Sequence, residues 1–123
     1  MPFEYTMANL LANVDSAVGV LFLDESGETV DLACAEYSPY DMKIVAAYLG
    51  IYLRQLRQTL TGAEIGDLRI LHIARGGLHI HACLLPDDYA LALIQKPPVL
   101  VAPARRALAV AAEEVRREVF VER

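Results

Sequence analysis

His72, His79, His81 and Cys83 bring together residue types able to bind a metal or carry a proton near neutral pH. They fall in two apolar runs on either side of Gly76-Gly77, a pairing that reads as two strands joined by a tight turn. With a two-residue turn, His72 pairs opposite His81, His79 lies on the same face two residues earlier, and Cys83 follows on that face. Three imidazoles and a thiol are reasonable zinc ligands. Against that reading, cross-strand neighbours need not converge tetrahedrally, and a one-residue change in turn length breaks the alignment. The spacing is not a diagnostic zinc pattern either, so His72, His79, His81 and Cys83 remain metal candidates and no metal or other cofactor is expected.

Other chemistry is thinner. A hydrolase needs a nucleophile, a base and an orienting group in reach, yet Ser16, Ser26 and Ser38 all read as turns or caps. Gly62, Gly66, Gly76 and Gly77 sit at turns without the lysine and hydroxyl of a phosphate-binding loop. Arg75, beside the glycine turn, has the position of a finger that could enter a partner's nucleotide site, although an exposed hairpin arginine is ordinarily just solvated. No enzyme is expected.

These residues need a scaffold, and 123 residues suit one compact domain spanning 1–123. A hydrophobic share of 55% against 22% charged residues is ample for a packed interior and high enough that some apolar area should end at a subunit or partner interface. The net charge is −5, and the pairs Arg105-Arg106 and Arg116-Arg117 lie among glutamates, so no continuous basic face invites nucleic acid. The longest uncharged apolar run, Ile44 to Leu53, is too short to span a bilayer, and Met1 to Asn13 has no basic residue of an export signal. A soluble cytoplasmic protein is the expectation. Cys34 and Cys83 are isolated in apolar segments, as reduced thiols filling small core spaces would be.

Pro2 to Asn13 places Phe3, Met7, Leu10 and Leu11 at helical spacing, and Val14-Asp15-Ser16 ends that helix. Ala17 to Asp24 is almost wholly apolar, the mark of a strand covered on both faces. Asp24-Glu25-Ser26-Gly27 then turns the chain into a second strand, Glu28 to Ala35. Ser38-Pro39-Tyr40-Asp41 supplies a hydroxyl cap, a proline for the first helical position and an acidic residue for the positive helix end. The helix it starts should run to about Leu60 and stop at Thr61-Gly62 on a left-handed glycine cap. Asp67 to Arg75, Leu78 to Leu85 and Tyr89 to Lys96 form a three-stranded meander, with Pro86-Asp87-Asp88 as its second turn. Val101 to Val119 closes the chain as a helix with Ala104, Leu108, Ala111, Ala112, Val115 and Val119 on one stripe. The order α-β-β-α-β-β-β-α with short hairpins predicts a largely antiparallel sheet with helices on both faces, an α+β member of the broad α/β class.

Several stretches, in their order and spacing over nearly the whole chain, resemble the roadblock (dynein light-chain) family, in particular its bacterial gliding-motility GTPase-regulator type. They are Val18-Gly19-Val20-Leu21-Phe22-Leu23-Asp24-Glu25-Ser26-Gly27-Glu28, the long helix after it, Leu84-Leu85-Pro86-Asp87-Asp88-Tyr89-Ala90-Leu91 and the final alanine-rich helix. The resemblance implies a five-stranded antiparallel sheet with the long middle helix on one face and the terminal helices on the other. It also implies a homodimer that aligns the long helices and joins sheets edge to edge, and a role as regulator or scaffold for a Ras-like small GTPase, some relatives being activators. Lys96-Pro97-Pro98 departs from the family pattern, where an extended polar connection is common, so contacts made there by relatives do not transfer. A pure interaction scaffold and a ligand- or metal-binding sensor are the alternatives.

At about 100° per residue, Met42, Val45, Leu49, Tyr52, Leu53, Leu56 and Leu60 form the stripe of the long helix expected to face the sheet. Tyr40, Ile44, Ala47, Tyr48 and Ile51 lie nearly opposite and turn polar at Gln55 and Gln58. A helix apolar on both sides must be covered on both, by another element of the chain or by a dimer or partner contact. Gly50, mid-helix, costs about 1 kcal/mol relative to alanine and is either a tolerated blemish or the site of a close backbone approach.

Overall fold

The computed structural model describes residues 2–62, 69–75, 77–97 and 100–120, without the side chains of 2–4 and 75. In chain order its elements are α1 (Pro2–Asn13), β1 (Ala17–Leu23), β2 (Thr29–Cys34), α2 (Pro39–Gly62), β3 (Ile70–Arg75), β4 (Leu78–Leu84), β5 (Ala90–Gln95) and α3 (Val101–Phe120). The order read from the sequence is the order observed. Of the predicted third strand, Asp67 and Leu68 lie outside the described residues, as do Phe3's side chain, Gly66, Gly76 and Pro98.

All strand pairs are antiparallel in one sheet ordered β2-β1-β5-β4-β3. β1 and β5 occupy its interior and are buried nearly throughout, which explains why their sequences run apolar instead of alternating. The turn before β2 is built by Asp24, whose Oδ1 accepts from the backbone N–H of Ser26 and of Glu28, both at 2.9 Å. Gly27 completes it with φ of 83°.

Each face of the sheet carries its own apolar layer. Met7, Leu10 and Val14 join Leu108, Ala111, Ala112 and Val115 of α3 over Val20, Phe22, Leu91 and Leu93. On the other face Met42, Ala46, Leu49 and Leu53 of α2 cover Leu21, Leu23, Ala82, Ala92 and Ile94. The long helix therefore has one side of the sheet to itself, and the terminal helices share the other. Among the described residues no helix is long and apolar enough to cross a membrane.

Two details of α2 differ from the sequence reading. Tyr52 lies on the exposed side, while Ala46 is buried against the sheet and Gly50 against the β1–β2 turn. The cause is the close approach of α2 to the β1–β2 turn: a Cβ on Gly50 would stand 2.5 Å from the Gly27 Cα. Backbone packs on backbone there, so the helix presents its small-residue side to the sheet and swings Tyr52 outward. The left-handed cap expected at Gly62 is also absent, because Gly62 is the last helical residue and Gly27 is the one described glycine with positive φ.

Candidate functional site

The start of α2 is fixed as its sequence suggested. The Ser38 Oγ accepts from the Asp41 N–H at 3.1 Å, Pro39 takes the first helical position, and the Met42 N–H donates to the Ser38 carbonyl at 3.0 Å. From that cap the helix directs Tyr40, Ile44, Ala47, Tyr48 and Ile51 away from the sheet, and no other described element covers them. Tyr40 is 72% exposed, Ile44 41%, Tyr48 60% and Ile51 47%, with Tyr52 joining at 53%. Four large aromatic or branched side chains in water along one helix face, extended by a fifth, form a contiguous apolar stripe of the kind that marks an interaction surface.

The histidines come together as the hairpin register requires, with His72 opposite His81 and Ala74 opposite His79. The rings of His72 and His81 stack with centroids 4.5 Å apart and planes 14° from parallel. His72 also stacks on His79 at 5.2 Å, with its Nε2 3.0 Å from the His79 Nδ1. At the inner end, His81 is wholly buried with its Nε2 2.8 Å from the Gln95 Oε1, and the Gln95 amide donates to the Asp15 carbonyl at 3.0 Å.

That chain of bonds orients the protons. The Gln95 NH2 group donates to Asp15, so its Oε1 accepts and His81 donates from Nε2, leaving Nδ1 as a buried lone pair without a partner. A neutral ring tolerates this; a second proton would create an orphaned buried N–H. Burial accordingly holds the His81 pKa below the usual histidine range; the Gln95 hydrogen bond opposes it, and His72, His79 and Arg105 add to the depression. The His72 pKa is lowered by desolvation, then by the His79 and Arg105 charges.

Stacked rings do not surround a point, and Cys83 continues along the strand instead of closing the set. Among the described residues no group of three or more His, Cys, Asp or Glu side chains is arranged to hold a metal ion. Cys34 and Cys83 are free, half-buried thiols, and burial pushes the Cys83 thiol up, against the pull of Arg116, away from a reactive thiolate. Arg75 ends β3 with its side chain outside the described residues, which leaves the finger reading without geometry.

Sequence reasoning missed a cleft of about 1180 Å³ between the end of α2, the start of β3, the β4–β5 connection and α3. Among the described residues, Arg54, Arg57, Arg69 and Arg116 line it, with Glu25 and Asp88 as the acidic members. The Arg57 Nε lies 3.6 Å from the Asp88 Oδ1, and its Nη1 is buried without a hydrogen-bond partner. Asp87 and Asp88 hold this connection in the left-handed region, with φ of 61° and 64°. Four arginines scattered along the chain carry no sequence pattern; only the closing of three elements around one opening brings them together.

The sheet order, the solitary long helix on one face and the paired terminal helices on the other define the roadblock/LC7 fold. A Roadblock/LC7 domain from Streptomyces avermitilis superposes with a TM-score of 0.84 at 15% identity, covering 94% of this chain and 96% of that one. Myxococcus xanthus MglB superposes with a TM-score of 0.87 at 11% identity, over 100% and 98% of the two chains. An MglB with tetrameric arrangement gives 0.83 at 12% identity, over 94% and 86%. At such identities the likeness is one of fold. No model of a sequence family matches the chain, and no curated protein matches it in sequence.

Proposed function

We propose that the chain is a single-domain, non-enzymatic homodimer that regulates or scaffolds a Ras-like small GTPase in the bacterial cytoplasm. The observation that carries this reading is the uncovered apolar stripe Tyr40, Ile44, Ala47, Tyr48 and Ile51 on α2, now extended by Tyr52. Aligning two such helices about a two-fold axis sets each stripe against its own copy and removes both from water. The tetrameric arrangement of an MglB of the same fold supports self-association, and the roadblock resemblance supports a Ras-like GTPase as the further partner.

The proposed mechanism is indirect. The dimer binds the partner's switch segments in one arrangement and shifts their population, adding no catalytic group. Such a regulator must prefer one nucleotide state of the GTPase, because equal affinity for both shifts nothing.

Sedimentation equilibrium of the native chain and of Ile44→Asp/Ile51→Asp tests the dimer. A native dimer that becomes a folded monomer in the double variant is expected; a native monomer across micromolar concentrations overturns the homodimer. With a GTPase loaded in turn with GDP and a non-hydrolysable GTP analogue, different affinities support regulation, and equal affinities leave a scaffold.

A further inference from the structure

We infer that the arginine-lined cleft is a docking site for an acidic, partly apolar peptide segment of a partner protein. The inference does not depend on the GTPase reading: the cleft borders the C-terminal end of α2, whereas the apolar stripe begins at its N-terminal end.

The chain carries a net −5, yet among the described residues this opening gathers four arginines against two carboxylates, one of which, Asp88, is already engaged by Arg57. Arg116 is steadied by Glu113 at 3.4 Å, and Arg54 donates from Nη2 to the Ser26 carbonyl at 3.1 Å, so neither guanidinium has spent all its donors. Arg57 is the most committed of the four. Its side chain is only 19% exposed and its Nη1 is shut off from solvent, so Arg57 lends charge to the wall while the exposed Arg54, Arg69 and Arg116 are the ones free to meet an anion.

Size and polarity decide the kind of anion. A cleft of about 1180 Å³ exceeds what a small phosphate compound fills, and Ile70, Leu85 and Cys83 give it apolar wall. Thr61 and Gly62, the last described residues of α2, also line it, and the helix dipole puts partial negative charge at that end. A compact phosphate dianion is repelled by that end. A peptide satisfies both demands: its carboxylates are spaced along the chain to meet the arginines of α2 and α3 and Arg69 just before β3, and its apolar side chains take the wall.

The test is fluorescence anisotropy with a fluorescein-labelled peptide, Glu-Leu-Glu-Glu-Leu-Glu, and its counterpart with every glutamate replaced by glutamine. The acidic peptide is expected to bind saturably and at least about tenfold tighter than the glutamine peptide, with affinity falling as salt rises. Arg69→Gln/Arg116→Gln, chosen at exposed positions so that folding is kept, should weaken it by about tenfold at an unchanged melting temperature, and Glu25→Gln should tighten it several-fold. Equal binding of the two peptides, or indifference to the arginine substitutions, overturns the inference. So does inorganic pyrophosphate that displaces the peptide at micromolar concentration, which would make the cleft a small-anion site.

Discussion

Replacing Gly50 by alanine sets two effects of similar size against each other. In a helix interior alanine is favoured over glycine by about 1 kcal/mol, so propensity alone makes Gly50→Ala stabilising. The added methyl, however, would lie 2.5 Å from the Gly27 Cα and 3.4 Å from its carbonyl carbon and oxygen. Carbon atoms in contact settle near about 3.5–4.0 Å, so the helix and the turn must part by roughly an ångström. Both sides are backbone and neither can rotate away, which places the strain toward the upper part of the roughly 1–3 kcal/mol typical of overpacking. The net expectation is a loss of about 1–2 kcal/mol, or a melting temperature lower by roughly 5 °C. Gly62→Ala is the internal control, since Gly62 is helical and a Cβ there meets no atom of the described residues within 4 Å; it should be neutral or stabilising by up to about 1 kcal/mol. Thermal and urea denaturation followed by far-UV circular dichroism measures both. A Gly50→Ala protein as stable as the native chain, or more so, refutes the reasoning.

Three further outcomes follow from contacts already described. Because the His72 and His81 pKa values are lowered in the folded state, the unfolded chain binds more protons around pH 6.5; stability should be level above about pH 7.5 and fall as the pH drops below it. Urea midpoints between about pH 7.5 and 5.5 should show this fall in the native chain and a flatter profile in His72→Gln/His81→Gln; parallel profiles would count against it. Gln95→Leu removes the partner of the buried His81 N–H and of the Asp15 carbonyl and should cost about 1–3 kcal/mol by urea denaturation, with a neutral result pointing to a rearranged network. Ser38→Ala should cost about 1 kcal/mol by loss of the α2 cap, and Ser38→Thr should restore most of it.

The fold was legible because its local signals agree: the Asp24–Gly27 turn, the Ser38 cap and the two-residue hairpin that sets His72 opposite His81 each specify one geometry. The outward stripe of α2 was legible too, since helical periodicity separates it from the core. Less readable was the rotation of that helix. Periodicity weighs Tyr52 as a large apolar residue and Ala46 as a minor one, whereas the contact between Gly50 and Gly27 reverses their places. The stacking of the histidines depended on a turn length that sequence could only assume, and the role of Gln95 as anchor of His81 required knowing that β4 and β5 set His79 opposite Gln95. The arginine cleft had no local signature at all, being made by tertiary closure.

The sheet order β2-β1-β5-β4-β3 also governs when the core can form. β1 and β2 can pair as soon as both have left the ribosome, and α2 can settle on them. The inner edge of β1 must then wait for β5, because Ala17–Leu23 bonds to Ala90–Gln95 while β3 and β4 intervene in the chain. Until β5 is synthesised, the hydrogen-bonding groups of β1 stay unpaired on one side, and Val20 and Phe22 have only α1 over them, because α3, which shares the cover of that face, emerges last. Early synthesis thus yields a half-sheet with an exposed apolar edge. Its vulnerability to aggregation is greatest between the emergence of α2 and that of β5, and a translational pause in that interval would prolong it.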